Sequence, residues 1–145
     1  MGMRKLIQIA IFVGLGYFVL EESKLIQSFF NETTVSDSVI AEAYDNRKSD
    51  LQVGGSGEVI RILSDDVDGS RHQRFILRLE SGRTLLIAHN IDLAPRISSL
   101  SEGDLVEFYG EYEWNDQGGV IHWTHRDPQG QHVAGWLKHQ GKTYQ

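Results

Sequence analysis

The chain has 145 residues, room for one domain and little beside it, and its 40% hydrophobic content suffices for a folded core. It contains no cysteine, which excludes disulfides, thiolate nucleophiles and sulfur-ligated clusters and leaves His, Asp and Glu to hold any metal. A formal charge of −6 repels nucleic acid at long range and demotes such a partner unless a metal or a local basic patch intervenes.

Residues 1–22 read as a signal peptide or membrane anchor. Arg4 and Lys5 precede an apolar run over 6–20 broken only by Gln8, and Glu21 and Glu22 follow. Basic residues ahead of such a run and acids behind it turn the N-terminus to the cytoplasm and the remainder outward. The run suits a signal-peptide core and is short for a bilayer span of about 20 residues, whereas "GYFVLEES" lacks the small-x-small pattern of a cleavage site. An export signal and an uncleaved anchor, with the membrane as partner, both stay open ahead of a third alternative, a buried helix of a soluble protein. Either of the first two places the domain in the periplasm or an equivalent exported space, free or tethered to the inner membrane, where nucleotide-dependent chemistry lacks supply. Without residues 1–20 twelve bases face twenty acids, and the charge becomes −8.

Residues 23–53 form a helical and linker segment. Leu25, Ile26, Phe29 and Phe30 fall on one helical face, and a second helix begins near Ser36 with Val39, Ile40, Ala43 and Tyr44 as its apolar stripe. "DNRKSD" ends it, and the short helix is expected to cover one side of the domain that follows.

From Gly54 to Gln145 the period changes to that of strands. "GSGEVIRIL" is the first, and "HQRFILRLE" places Phe75, Leu77 and Leu79 on one face against Arg74, Ile76 and Arg78 on the other. After the turn "SGR", "TLLIAHN" carries Leu85, Ile87 and His89 in phase. "IDLAPRISSLSEGD" is a longer link. "LVEFYGEYEW" sets Val106, Phe108, Gly110, Tyr112 and Trp114 opposite Glu107, Glu111 and Glu113, and "NDQGG" joins it to "VIHWTH", the fifth strand. Five short strands, a long third link and well-spaced glycines predict an all-β fold, a small five-stranded barrel of the OB kind behind an N-terminal helical segment. The tail "GQHVAGWLKHQGKTYQ" is expected to wrap back along the barrel through Trp136, Leu137 and Tyr144.

Chemistry-bearing residues concentrate in four segments. His122 and His125, three apart, could share a metal only if the chain turns near Thr124, while His125 and Asp127 share phase; the alternative buries Trp123 in the core and spends Asp127 on an Asp-Pro turn. His89 and Asp92 stand where the third strand leaves the barrel, as ligands or as local hydrogen-bonding groups. "SDDVDGSRHQRF" resembles a calcium loop only at its start, but Arg71, His72 and Arg74 after it could grip an anion. Pairing of the fourth and fifth strands would bring His122 or His125 to Glu111 or Glu113, as a metal site, a general acid-base pair or plain cross-strand stabilisation. No nucleotide loop or nucleophile elbow is present, which argues against serine-hydrolase chemistry. Any site is expected where the ends of strands three and five meet the loop after strand one.

The strings "DDVDGSRHQRFIL", "LLIAHNIDLAPRI", "GDLVEFYGEYEWN", "GGVIHWTHRDP" and "GWLKHQGKTYQ" resemble domain of unknown function 3465, a family of small exported bacterial proteins. The resemblance, from about Gly57 to Gln145, implies a bacterial envelope or secreted protein and brings no catalytic residues with it. The residue chemistry leaves three readings. The first is a binding or accessory module that takes a small anionic ligand or an envelope protein through His72, Arg74, His89 and His125. The second is a metal-dependent phosphoester hydrolase, including a nuclease, with zinc or manganese held among His89, Asp92, Glu111, His122, His125 and Asp127. The third is a structural scaffold.

Overall fold

The computed structural model describes residues 21–28 and 36–145. The apolar run over 6–20 and the residues Phe29 and Phe30 lie outside the described residues. The chain divides into two compact units, Met1–Glu32 and Thr33–Gln145. In the first, residues 21–28 are helical (α1), with Leu25 and Ile26 exposed. Among the described residues no helix is long and apolar enough to cross a membrane.

The second unit opens with a helix over 36–45 (α2), followed by seven described strands: β1 (Leu51–Ile62), β2 (His72–Arg78), β3 (Thr84–Asn90), β4 (Leu105–Glu113), β5 (Val120–His122), β6 (Trp136–His139) and β7 (Lys142–Tyr144). The order β1-β2-β3-β5-β4, with β4 returning to β1, closes a five-stranded barrel in which β3 and β5 run parallel and the other pairs antiparallel. This is the OB-like architecture expected from the strand count. The first strand starts at Leu51, three residues before the expected Gly54, because Leu51, Gln52 and Val53 already pair with Tyr112, Glu111 and Gly110. It serves two neighbours: residues 51–58 pair with β4, and after a bulge between Val59 and Arg61 the strand continues along β2. A bulge sharpens twist and bends a strand, which is what closure of so small a barrel requires.

The alternation read in the sequence is the core. Val59, Phe75, Leu77, Leu85, Ile87, Val106, Phe108, Tyr112, Ile121 and Leu137 point inward and are fully buried, while the residues between them face outward. Ile40 and Ala43 of α2 join this core, whereas Val39, assigned to the same stripe, is exposed. The helix is bound to the loops beside it. Asp37 accepts the Ser81 amide at 2.8 Å, Arg83 pairs with Asp45, the Trp114 indole donates to the Tyr44 carbonyl, and the Tyr44 hydroxyl donates to Asp116.

The fifth strand departs from expectation in an informative way. It was expected over 120–125 but ends at His122, because Trp123 takes a left-handed backbone conformation (φ 51°) that no strand continues through. The chain makes an excursion over 123–135 and returns to the same edge of β4 as β6: Glu111–Glu113 pair with β5 and Val106–Tyr109 with β6. The Gly135 amide donates to the His125 carbonyl and closes the neck of the excursion. Gly135 lies so close to the Trp123 and Tyr109 carbonyls that a side chain would overlap them. The tail returns along the barrel as expected, but as the hairpin β6–β7, with Leu137 and Tyr144 buried and Trp136 stacked on Tyr109.

Candidate functional site

The outward residues of four adjacent strands form one strip. His72 and Arg74 on β2 pair across to Asn90 and Ala88 on β3; β3 lies beside β5, which carries His122; and His122 pairs with Glu111 on β4. Two clefts meet along this strip. The smaller, about 190 Å³, is lined by His72, Ala88, Asn90, Leu93, His122, Trp123 and His125. It stands where the ends of β3 and β5 meet the chain entering β2. The larger, about 460 Å³, lies within the excursion and is lined chiefly by Pro128, Gln129, Gln131 and His132. Leu93 and Trp123 belong to both. Trp123 is therefore not a core residue: it stands half-buried between the clefts, with the His132 ring stacked on it at 4.1 Å and 7° and the His125 ring tilted against it at 5.3 Å.

The residues singled out in the sequence separate into two groups. His89 is fully buried with both ring nitrogens used. The Pro95 carbonyl can only accept, so Nε2 donates to it at 3.1 Å, and in the neutral ring that burial favours, Nδ1 accepts from the Thr124 hydroxyl at 2.8 Å. Burial pulls its pKa down to about 4, the Pro95 carbonyl opposes the shift, and His125 and His72 add to it. This histidine ties the link after β3 and the excursion to the barrel and has no nitrogen left for a ligand.

Asp92 is engaged as well. Its carboxylate accepts the Arg71 amide at 2.8 Å and the Arg71 guanidinium at 2.7 Å, and these hold its pKa below the usual carboxylate value. Asp127 accepts the amides of Gln129, Gln131 and His132 at 2.7 to 2.9 Å, which depresses its pKa in the same way and makes it the organiser of the excursion. Arg74, whose cross-strand partner Ala88 lines the smaller cleft, donates through Nε to the Ser64 carbonyl at 3.0 Å. In the acidic loop, Asp65 pairs with Arg96 and Asp66 caps the Asp68 amide.

The second group converges. The left-handed turn at Trp123 sends Thr124 inward to His89 and buries His125, whose Nδ1 donates to the Arg126 carbonyl at 2.8 Å, while His122 stays on the outer face. His122 and His125 thus share the smaller cleft, but the nearest carboxylates to the His122 Nε2 are Glu111 at 3.3 Å and Glu113 at 3.8 Å. The six residues considered as metal ligands do not meet at one point: Glu111 and His122 do, joined by Glu113, while His89, Asp92, His125 and Asp127 have other partners.

His132 was not singled out in the sequence. Its Nε2 donates to the Glu111 carboxylate at 2.7 Å and its Nδ1 to the Val133 carbonyl at 2.8 Å. Two acceptors around one ring favour its protonated form. Burial by itself lowers its pKa, but Glu111 and the Val133 carbonyl outweigh that and set it above the ordinary histidine value. The signal in the sequence was "DPQGQH", where an Asp-Pro turn followed by glycine brings the chain back upon the strand it has just left.

These strings and this fold have a family. The chain belongs to the DUF3465 family. The family model, described as a protein of unknown function, matches residues 24–145 and so spans the whole barrel, the excursion and the closing hairpin. No curated protein sequence matches the chain.

Proposed function

We propose that this DUF3465 protein is a binding module of the bacterial cell envelope that takes a small anionic ligand in the cleft formed by His72, Asn90, His122, Trp123 and His125. One observation carries the reading: three imidazoles and an amide line a cleft of about 190 Å³ on the β2–β3 face, and Arg74 pairs across to Ala88 of its lining. Barrels of this type use that face for ligands, and a rigid sheet with convergent polar groups and one large ring is how small-molecule sites are built. Histidine donors and the Arg74 guanidinium favour a carboxylate or phosphate. His89 leaves the ligand set and serves beneath it, fixing the chain segments that shape the cleft. Export, inferred from Arg4, Lys5 and the apolar run, supplies the envelope location.

The test is an amide and side-chain NMR titration of the full chain, in EDTA, with inorganic phosphate and with citrate. Saturable shifts centred on His72, Asn90, His125 and the Trp123 indole, weakened roughly tenfold in His72→Gln and His125→Gln, are expected. Shifts absent, or confined to other faces, would overturn the reading. A second reading, a metal-dependent phosphoester hydrolase, draws on the Glu111, Glu113 and His122 cluster at the rim of the same cleft: a bound ion there would activate water beside an anion held by the histidines.

A further inference from the structure

We infer that Glu111, Glu113 and His122 form a binding site for one divalent transition-metal ion of the zinc or manganese class, with His132 as its positioning residue. The inference stands on the β4–β5 register and does not depend on what the neighbouring cleft holds.

Glu111 and His122 are direct cross-strand partners, and Glu113 stands two residues along on the same face, so the three side chains project from paired backbone rather than from a loop. Their ligand atoms lie within 4.8 Å of one another. Two ligands on a tetrahedral ion with bonds of about 2.1 Å stand about 3.4 Å apart. The His122 Nε2 already lies 3.3 Å from Glu111 and 3.8 Å from Glu113, so binding needs only small side-chain rotations.

The same nitrogen supplies the second observation. It is hidden from solvent and makes no hydrogen bond, although carboxylate oxygens stand so close to it. A buried ring nitrogen that makes no hydrogen bond is costly, and an ion lying between it and the two carboxylates it faces would satisfy all three groups. The ion would also relieve two neighbouring carboxylates on a domain that already carries an excess of acid.

The surroundings match those of metal centres. Ligating side chains are held by outer hydrogen bonds that fix their direction. Here one Glu111 oxygen is taken by His132 at 2.7 Å, which leaves the other for an ion, and His132 is locked by the Val133 carbonyl and by its stack on Trp123. One imidazole and two carboxylates favour zinc, manganese or iron(II) over calcium, which prefers oxygen throughout, and over copper(I), which prefers sulfur. Three protein ligands would leave at least one position open to water.

The deciding experiment is calorimetric titration of the full-length, untagged, EDTA-stripped chain with ZnCl₂ and MnCl₂, plus CoCl₂ read by its visible absorption. Expected are one equivalent of ion bound with micromolar or tighter affinity, a Co²⁺ spectrum of low coordination number, and no competition from millimolar CaCl₂. His122→Ala and Glu113→Gln, both at half-exposed positions and checked for an unchanged circular-dichroism melt, should each weaken binding by roughly a hundredfold. His132→Gln should weaken it about tenfold while keeping the stoichiometry. Absence of saturable uptake, or uptake unaltered in both His122→Ala and Glu113→Gln, would overturn the inference. Phosphate titration in EDTA is scored separately, so failure of the cleft and failure of the metal site are distinguishable.

Discussion

Acidification should destabilise this domain well before its carboxylates titrate, and His89 is the reason. In the unfolded chain its imidazole has the ordinary pKa of 6.5, whereas in the fold burial lowers it to about 4. Between those values the unfolded state binds the proton and the folded state does not, so protonation pulls the equilibrium towards unfolding. The contribution of the neutral, buried ring is fully present above pH 6.5, declines as pH falls, and is gone below about pH 4. A difference of roughly 2.5 pKa units corresponds to about 3 kcal/mol in all, of which about 2 kcal/mol is lost by pH 5. In urea unfolding this moves the midpoint down by roughly 1 to 2 M between pH 7 and pH 5. His132 has the opposite sign: its raised pKa contributes stability below 6.5 that is lost as pH rises through the higher folded value, so it cannot generate a decline on the acid side. Asp92, Asp104 and Asp127, with lowered values, act below the usual carboxylate pKa of 3.8.

The control is His89→Gln. It should be less stable than the wild type at pH 7 by about 1 to 3 kcal/mol, because the Thr124 hydroxyl and Pro95 carbonyl lose a well-placed partner, and its stability should vary much less between pH 7 and pH 5. A wild-type urea midpoint that is flat across this range, or a His89→Gln variant that keeps the wild-type slope, would refute the assignment of the acid sensitivity to this ring.

Three further outcomes are expected. Gln73→Leu removes a buried amide whose two bonds to the Ile97 backbone, 2.9 and 3.0 Å, hold the link between β3 and β4; with both Ile97 groups left unpaired, urea unfolding should show a loss of about 3 kcal/mol. Gly135→Ala places a methyl group against the Trp123 carbonyl at the neck of the excursion, so a loss of about 2 kcal/mol or more and a shifted Trp fluorescence maximum should follow. Asp127→Ala frees three amides of the excursion at once; hydrogen exchange should accelerate at Gln129, Gln131 and His132 while β2 and β3 stay protected.

The parts of the fold that were legible in the sequence are those governed by two-residue alternation. Phe75, Leu77 and Leu79 against Arg74 and Arg78, or Val106, Phe108 and Tyr112 against three glutamates, sort themselves by face because a strand offers each residue only two directions. His89 could be placed in phase with Leu85 and Ile87 for the same reason. That its ring would be sealed was not readable, since the seal comes from Pro95 and Thr124, which reach it through tertiary contact. That His122 or His125 would come within reach of Glu111 or Glu113 followed from a short connection between neighbouring strands, and the register sets His122 opposite Glu111. Trp123 escaped because a tryptophan within an apolar run reads as core, and nothing in its side chain announces a left-handed backbone.

That single turn accounts for the concentration of chemistry at one place. Had "VIHWTH" continued as a strand, His122 and Thr124 would have shared the outer face and His125 would have followed Trp123 into the alternation. Instead the chain leaves the barrel at Trp123, and β6 takes up the vacated edge of β4, so the barrel stays closed while thirteen residues are released from it. The released segment keeps contact with its origin through the Gly135 to His125 bond and the Trp123 to His132 stack. A left-handed non-glycine residue costs of order 1 to 3 kcal/mol, and such strain persists where the surroundings over-determine it. Here they do: the His132 ring stacks on the indole, the His125 ring packs against it at a tilt, and Asp127 holds the loop that carries His132. The outcome is that His72 of β2, His122 of β5 and His125 and Trp123 of the excursion line one cleft, with Glu111 and Glu113 of β4 beside His122.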